Sequence, residues 1–185
     1  SAGVPSTAFA FSSPLVTTPA DIRAVGVAAI TVADDRWAHC NLKVISLLAN
    51  ILARQQAVDA GCAEALLIRD GYLKEGAASN IFVVKDGVLL APPKNSFMLP
   101  GITYDIVLEL AAGHGQPLEI REIHENELRA ADEVWMTSST KEVLAITTLD
   151  GKPVGNGPTA GKPGPVGEQM WQWYQDFKNT IMRKG

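Results

Sequence analysis

The sequence predicts an α+β domain built around a curled, largely antiparallel sheet with helices packed against it. Short apolar segments are separated by Asp-Gly pairs in the first half of the chain, which is the pattern of antiparallel hairpins. Other segments carry apolar residues three and four positions apart, which is the pattern of amphipathic helices. At 185 residues, 46% hydrophobic and 19% charged, the chain has the size and composition of one soluble domain.

The first predicted elements are two strands and a helix. Residues 25–32 (VGVAAITV) and 37–40 (WAHC) are apolar enough to form strands. A helix is predicted from Lys43 to Ala60, because apolar residues recur there at helical spacing and would form a stripe buried on one side. The stripe consists of Val44, Leu47, Leu48, Ile51 and Leu52. Lys43 would then lie where a strand gives way to a helix.

Two hairpins are predicted after Gly61. The pairs Asp70-Gly71 and Asp86-Gly87 each separate two apolar segments, and Asp-Gly favours a tight turn between antiparallel strands. The segments are residues 64–69, 72–75, 80–85 and 88–92. Four strands in succession with such turns predict an antiparallel meander.

The second half of the sequence alternates helices and strands. Residues 99–115 predict a loop that opens into a helix ending at Gly113, and the helix would carry Ile102, Ile106, Val107 and Leu110 on one face. A strand, a short helix and two more strands are predicted at residues 118–123, 125–132, 133–137 and 143–149. A closing helix is predicted from about Pro165.

Charge and residue spacing argue against several classes of partner. The net charge is -4 and the basic residues are scattered, so no basic patch for nucleic acid is expected. No apolar run approaches the roughly 18 residues of a membrane span, and no signal-peptide pattern is visible. Cys40 and Cys62 lack CxxC spacing and the three histidines lie far apart. We therefore expect free thiols, no metal site and a cytoplasmic location.

Lys43 and Glu75 are candidates for chemistry. A lysine at a helix start is most often a solvated surface residue. Between an apolar strand and an apolar helix, however, desolvation would favour the neutral amine, which is the nucleophile that imine chemistry requires. Glu75 lies at the end of a predicted strand and could complement that amine, although by itself it would be an ordinary acid at the edge of a turn. The small residues that follow Glu75 would let a flat ligand approach the backbone.

Two further segments could bind an anion. The residues from Gly101 to Thr103 would place unpaired backbone N–H groups at the N-terminus of a helix. The hydroxyl groups of residues 137–140 could donate to the same anion, although such a run is more often a polar turn.

In their order and spacing these segments resemble the class IV aminotransferases, which are fold-type IV pyridoxal-phosphate enzymes. The motifs that carry the resemblance are DDRWAHCNLKVISLLANILARQQA, KEGAASNIFVV, LPGIT, ADEVWMTSSTKEV, and DGKPVGNG followed by GKPGPV. ASN after EG, together with SSTKEV, is closer to the D-amino acid aminotransferase branch than to the branched-chain branch. The resemblance implies a pseudo-barrel, the large C-terminal lobe of the family, over residues 1–185, with residues 1–12 as the remnant of an interdomain segment.

The resemblance also implies a site for pyridoxal 5'-phosphate. Lys43 would form the Schiff base and shuttle a proton, and Glu75 would keep the pyridine nitrogen protonated. Leu99 would pack against the ring. The residues implied to hold the phosphate are Ile102, Thr103, Ser138, Ser139 and Thr140.

The same motifs place further residues around the cofactor. The residues that match supporting positions are Arg36, Ser79 and Asn80. Ala77 and Ala78 replace residues that often carry hydroxyl groups, and Tyr104 replaces the arginine that usually follows LPGIT.

The implied reaction is transamination between a D-amino acid such as D-alanine and a 2-oxo acid, in a homodimer. In the family an N-terminal lobe supplies a phosphate-binding arginine and an Arg-x-His motif that binds the substrate carboxylate, and neither is found in this sequence. We therefore expect the chain to belong to a longer parent enzyme and to be inactive by itself. The alternatives are a branched-chain aminotransferase, a 4-amino-4-deoxychorismate lyase of the same fold, or a catalytically inert lobe.

Overall fold

The structure is a computed structural model that describes residue 3 and residues 7–182. The predicted interdomain remnant, residues 1–12, lies partly outside the described residues. From residue 7 to Pro19 the chain forms neither helix nor strand. No helix in the described ranges is long and apolar enough to cross a membrane.

Ten strands in the described part of the chain form one curled sheet. They are β1 Val27–Ala33, β2 Glu64–Arg69, β3 Tyr72–Gly76, β4 Asn80–Lys85, β5 Val88–Ala91, β6 Leu118–Ile120, β7 Ile123–His124, β8 Glu133–Ser138, β9 Glu142–Leu149 and β10 Lys152–Pro153. Their order is β6-β5-β4-β8-β9-β1-β2-β3-β7, and β10 pairs with β9. The pairs β1–β2, β1–β9 and β5–β6 are parallel and the other pairs are antiparallel. The predicted α+β class with a curled, largely antiparallel sheet is confirmed.

Five α-helices flank this sheet in the described ranges. They are α1 Ala20–Val25, α2 Leu48–Asp59, α3 Ile102–Gly113, α4 Glu125–Arg129 and α5 Pro165–Phe177. A short 3-10 turn at Gly157–Thr159 precedes α5, and one π-helical segment at Lys178–Met182 follows it. The sequence predicted α3 to α5 near these bounds, whereas α1 was not predicted.

The two Asp-Gly turns form as predicted, but a continuous meander does not. Asp70 and Asp86 have φ of 53° and 50°, and the glycine after each also has a positive φ, which suits a tight hairpin turn. β3 and β4 are nevertheless not paired, because β3 pairs with β2 and β7 while β4 pairs with β5 and β8. The chain therefore crosses from one half of the curled sheet to the other at residues 76–79.

The core lies on both faces of the sheet. Along β4, Phe82 and Val84 face α3 and α5, whereas Ile81 and Val83 pack on the other face of the curled sheet. This arrangement explains why β4 is almost entirely buried and lacks the polar alternation of a one-sided strand.

The region between β1 and β2 differs most from the prediction. Residues 37–40 form no strand, and α2 begins at Leu48 rather than at Lys43. The apolar stripe is exposed, and α2 instead packs on the sheet through the small residues Ala53 and Ala57. Alanine lets the helix approach the strands closely, and this contact sets its orientation.

Two smaller predictions were also wrong. Residues 118–123 do not form one strand, because β6 pairs with β5 and β7 pairs with β3, at opposite ends of the sheet order. On α3, Ile102 is 77% exposed, and the buried residues are Thr103, Tyr104, Val107 and Ala111.

Candidate active site

A cleft of about 510 Å³ gathers segments that are far apart in the sequence. Its walls come from the loop after β1, the loop before α2, the β3–β4 connection, the start of α3 and the end of β8. The predicted site residues that line it are Arg36, Lys43, Glu75, Ser79, Asn80, Leu99, Ile102, Thr103, Ser138 and Ser139. Thr140 does not line the cleft and is exposed in the turn between β8 and β9.

Lys43 lines the cleft from a loop rather than from a strand–helix junction. It is exposed, so the predicted apolar enclosure of its amine is wrong for the described part of the chain. Lys43 and the β3–β4 connection line the same cleft, and Asn50 of α2 donates to the carbonyl of Ala77 at 3.0 Å, which joins α2 to that connection.

Glu75 is buried at the end of β3, and three groups donate to its carboxylate. Arg36 Nη1 lies 2.5 Å from Oε1, the Leu99 amide lies 3.2 Å from Oε2, and Asn80 Nδ2 lies 3.4 Å from Oε2. Burial raises the pKa of Glu75 to about 7, although the Arg36 guanidinium and the Leu99 amide favour the carboxylate. Glu75 can therefore gain or lose a proton near neutral pH.

An ion-pair network that the sequence did not predict lies behind Glu75. Asp34 accepts from Arg36 Nε at 2.8 Å and from Arg69 Nε at 3.2 Å, and its side chain is fully buried. Burial opposes the charge of Arg36, but Asp34 and Glu75 more than offset it, so the pKa of Arg36 lies above its ordinary value. The acid two positions before Arg36 in DDRW is the one feature of the sequence that could have indicated this network.

Asn80 and Ser79 support the cleft from the start of β4. Asn80 Nδ2 donates to the carbonyl of Leu99 at 2.9 Å and so holds the loop that precedes α3. Ser79 Oγ donates to the buried Glu64 carboxylate at 2.7 Å. Tyr104, which replaces the usual arginine, points away from the cleft and donates to the carbonyl of Pro92 at 2.7 Å.

The start of α3 and the end of β8 bring hydrogen-bond donors suited to an anion to the cleft. α3 begins at Ile102, and no side chain of the described residues caps its first turn at Gly101. Thr137 is 1% exposed and lines the cleft, and among the described residues its hydroxyl has no hydrogen-bond partner. A buried hydroxyl without a partner is costly, so Thr137 has a donor available for a ligand in the cleft.

The other hydroxyls of residues 137–140 differ in their surroundings. Ser138 Oγ accepts from the backbone of Lys141 at 3.2 Å and lies 3.4 Å from Thr140 Oγ1, so it mainly stabilises its own turn. Ser139 is exposed at the edge of the cleft and keeps its hydroxyl available. Thr137 is the better placed donor, although it was only a member of the run in the sequence prediction.

A family model described as amino-transferase class IV matches residues 1–149. The chain belongs to the class IV aminotransferase family. It is 42% identical over 141 residues to D-alanine aminotransferase of Bacillus licheniformis, which covers 76% of this chain and 48% of the relative. It is 37% identical over 152 residues to D-alanine aminotransferase of Staphylococcus epidermidis, covering 82% of this chain and 52% of the relative.

Among solved structures, this class IV chain resembles the branched-chain amino acid aminotransferase of Escherichia coli. The TM-score is 0.70 at 30% identity, and the match covers 86% of this chain and 56% of that chain. A second branched-chain amino acid aminotransferase, solved with pyridoxamine 5'-phosphate, has a TM-score of 0.76 at 32% identity and covers 87% of this chain and 53% of its own. The chain thus spans about half the length of the curated relatives it matches.

Proposed function

We propose that the chain forms the cofactor-binding part of an enzyme that transfers an amino group between a D-amino acid, such as D-alanine, and a 2-oxo acid. The observation that carries this proposal is the cleft that places Lys43, the buried Glu75 and the uncapped start of α3 around one space. The relatives named D-alanine aminotransferase support a D-amino acid substrate.

Branched-chain amino acids are the second candidate for the substrate. The Escherichia coli structure, named for branched-chain amino acids, covers 86% of this chain. The D-alanine aminotransferase of Bacillus licheniformis has the higher identity, 42% against 30%. We therefore prefer the D-amino acid.

The residues of the cleft fit pyridoxal 5'-phosphate. When bound, this cofactor supplies an aldehyde that reacts with amines and a ring that withdraws electrons. Glu75 would hold the proton of the ring nitrogen, and Leu99 would flank the ring. The backbone amides at the start of α3 and the hydroxyls of Thr137 and Ser139 would hold the phosphate, since both kinds of donor suit an anion.

Lys43 would supply the amine that joins the cofactor. Its loop leaves the side chain exposed and lining the cleft, so Nζ is accessible to both the cofactor and a substrate. The same nitrogen can hold a proton and return it, which is the role of a general acid and base. Glu75 is shielded from solvent and is less suited to that task, because it is engaged by Arg36.

We further propose that the longer enzyme has an N-terminal lobe, which corresponds to the half of the relatives that this chain does not match. In this proposal the apolar face of α2 contacts that lobe. Leu48, Ile51 and Leu52 are exposed on one side of α2, and Ile51 also lines the cleft. A contiguous apolar face of this kind indicates a contact surface. A homodimer in the cytoplasm completes the proposal, and the free Cys40 and Cys62 suit a reducing compartment.

The test is to trap the cofactor on its lysine. We expect that borohydride treatment of the cofactor-saturated chain, followed by peptide mapping, places the pyridoxyl group on Lys43. The control variant is Lys43→Arg, which keeps the charge and should carry no label. Label on another lysine in the wild-type chain, with Lys43 unmodified, would contradict the assignment.

Substrate choice needs a second assay. We expect no useful turnover of D-alanine and 2-oxoglutarate by the 185-residue chain, because no Arg-x-His motif is present to orient a substrate carboxylate. In the enzyme with its second lobe, D-alanine should react faster than L-leucine. The opposite order would favour the branched-chain alternative.

A further inference from the structure

We infer that Asp34 is a positioning residue that acts through Arg36 to fix the orientation of the Glu75 carboxylate toward the cleft. This inference rests on the proposed function, because it assigns Glu75 to the cofactor ring. It concerns three side chains from two segments: Asp34 and Arg36 follow β1, and Glu75 is the next-to-last residue of β3.

Asp34 binds the Arg36 guanidinium in a two-point contact. Arg36 Nε lies 2.8 Å from Oδ1, and Arg36 Nη2 lies 3.1 Å from Oδ2. A paired contact of this kind fixes the plane of the guanidinium as well as its position. Arg36 Nη2 also donates to the carbonyl of Phe97 at 3.0 Å, so two acceptors hold the same edge.

This orientation leaves Arg36 Nη1 pointing at one oxygen of Glu75. The distance from Nη1 to Oε1 is 2.5 Å, which is a short charge-assisted hydrogen bond. The Leu99 amide is shared between the two oxygens, at 3.3 Å from Oε1 and 3.2 Å from Oε2, and Asn80 Nδ2 lies 3.4 Å from Oε2. Oε2 has no short contact among the described residues, so it is the oxygen that a further proton donor from the cleft can approach.

Asp34 is itself held in place independently of Glu75. Its backbone amide donates to the carbonyl of Ile68 at 2.8 Å, and Arg69 Nε donates to Oδ2. The Arg69 guanidinium lies 4.5 Å from the centre of the Phe97 ring, which restricts its movement. The anchor of the network is thus on the side of β1 and β2, and Arg36 transmits that position to Glu75.

The other titratable groups around Glu75 are few in the described ranges. Arg36, Asp34 and Arg69 lie behind its carboxylate, while Cys40, Lys43 and Arg54 line the same cleft. Asp34 affects Glu75 in two opposite ways. Its negative charge disfavours the Glu75 carboxylate directly, whereas its hold on Arg36 favours that carboxylate by keeping the guanidinium in place.

These two effects predict opposite results, so a titration separates them. We would follow the side-chain carbon signal of Glu75 by NMR against pH in the cofactor-free chain, assigned by its loss in Glu75→Gln. If Asp34 positions Arg36, then Asp34→Ala should raise the midpoint of Glu75 by about one pH unit. Asp34→Asn has almost the same volume and keeps one acceptor for Arg36 Nε, so it should raise the Glu75 midpoint by a smaller amount. If the alanine variant does not fold, the asparagine variant provides the test.

Two results would overturn the inference. A lowered midpoint in the folded Asp34 variants would mean that the direct charge effect dominates, and an unchanged midpoint would mean that Asp34 only stabilises the fold. The control is Asp150→Asn, which removes a carboxylate paired with Arg129 at 2.9 Å and should leave the Glu75 midpoint unchanged. The titration needs no cofactor, so a failure of borohydride labelling at Lys43 would reject the proposed function without affecting this result.

Discussion

Gly101 packs against Asn80 so closely that a Cβ atom at position 101 would lie 2.5 Å from Asn80 Oδ1. The backbone of Gly101 has an ordinary extended conformation, with φ of -74°. The glycine is therefore required for close approach rather than for a left-handed backbone. Asn80 in turn donates to the carbonyl of Leu99 and to Glu75, so this one contact joins the start of α3 to the buried carboxylate.

Gly101→Ala should weaken cofactor binding by roughly tenfold, which corresponds to about 1.4 kcal/mol. The added methyl group would displace the Asn80 amide and with it the loop that begins α3. The measurement is the dissociation constant of pyridoxal 5'-phosphate by absorbance titration. Gly113→Ala is the matched control, because a Cβ there meets no atom within 4 Å. Equal affinities for the two variants would show that the Gly101–Asn80 contact does not shape the site.

Glu133→Ala should lower the free energy of unfolding by about 2 kcal/mol. Glu133 is buried and accepts from the amides of Val166 at 2.9 Å and Gly167 at 2.8 Å, so it caps the N-terminus of α5. Its removal would leave two amides without an acceptor. The measurement is urea unfolding, with Glu168→Ala as the control, since Glu168 is exposed in the first turn of the same helix. A loss of similar size in both variants would rule out the capping role.

The parts of the fold that depend on local chemistry were predictable from the sequence. The Asp70-Gly71 and Asp86-Gly87 pairs determine their hairpins through backbone preferences that a neighbouring segment does not alter. The pairing of β4 with β8 was not predictable in the same way, because strands far apart in sequence compete for the same edge.

In the candidate site, too, some residues could be predicted from the sequence and others could not. Lys43 and Glu75 were found because their motifs have a fixed order and spacing, and the structure places both at one cleft. Asp34 and Arg69 were missed because a buried ion pair depends on tertiary contacts between β1 and β2. Periodicity identified the apolar stripe of α2, but periodicity does not indicate which surface covers it.

Substitution on the apolar stripe of α2 should barely change the stability of this chain. Leu48 is 69% exposed, so Leu48→Gln should change the free energy of unfolding by less than about 0.5 kcal/mol. Ala57 is fully buried on the opposite side, and Ala57→Gln should cost several times more through overpacking and a buried amide. Urea unfolding of both variants gives the comparison. A large loss for Leu48→Gln would mean that the stripe is already covered in the isolated chain.

The stability of the cofactor-free chain should depend on pH through Glu75. Burial raises the pKa of Glu75 to about 7, whereas the ordinary value is 4.5. Between pH 4.5 and pH 7, Glu75 is protonated in the folded chain and ionised in the unfolded chain. Lowering the pH within this range therefore favours the folded state. The stabilising contribution of Glu75 is fully present below about pH 4.5, decreases as the pH rises through 7, and is lost at higher pH.

The expected size of this effect is roughly 3 kcal/mol, since each unit of pKa difference corresponds to about 1.4 kcal/mol. Unfolding of the wild-type chain and of Glu75→Gln by urea at several pH values from about 5 to 8 isolates the contribution, because the amide does not titrate. The wild-type chain should lose stability relative to Glu75→Gln as the pH rises toward 7. Parallel curves for the wild-type chain and Glu75→Gln would mean that Arg36 and the Leu99 amide keep Glu75 ionised throughout this range, and the carboxylate would then face the cleft with its charge at every pH tested.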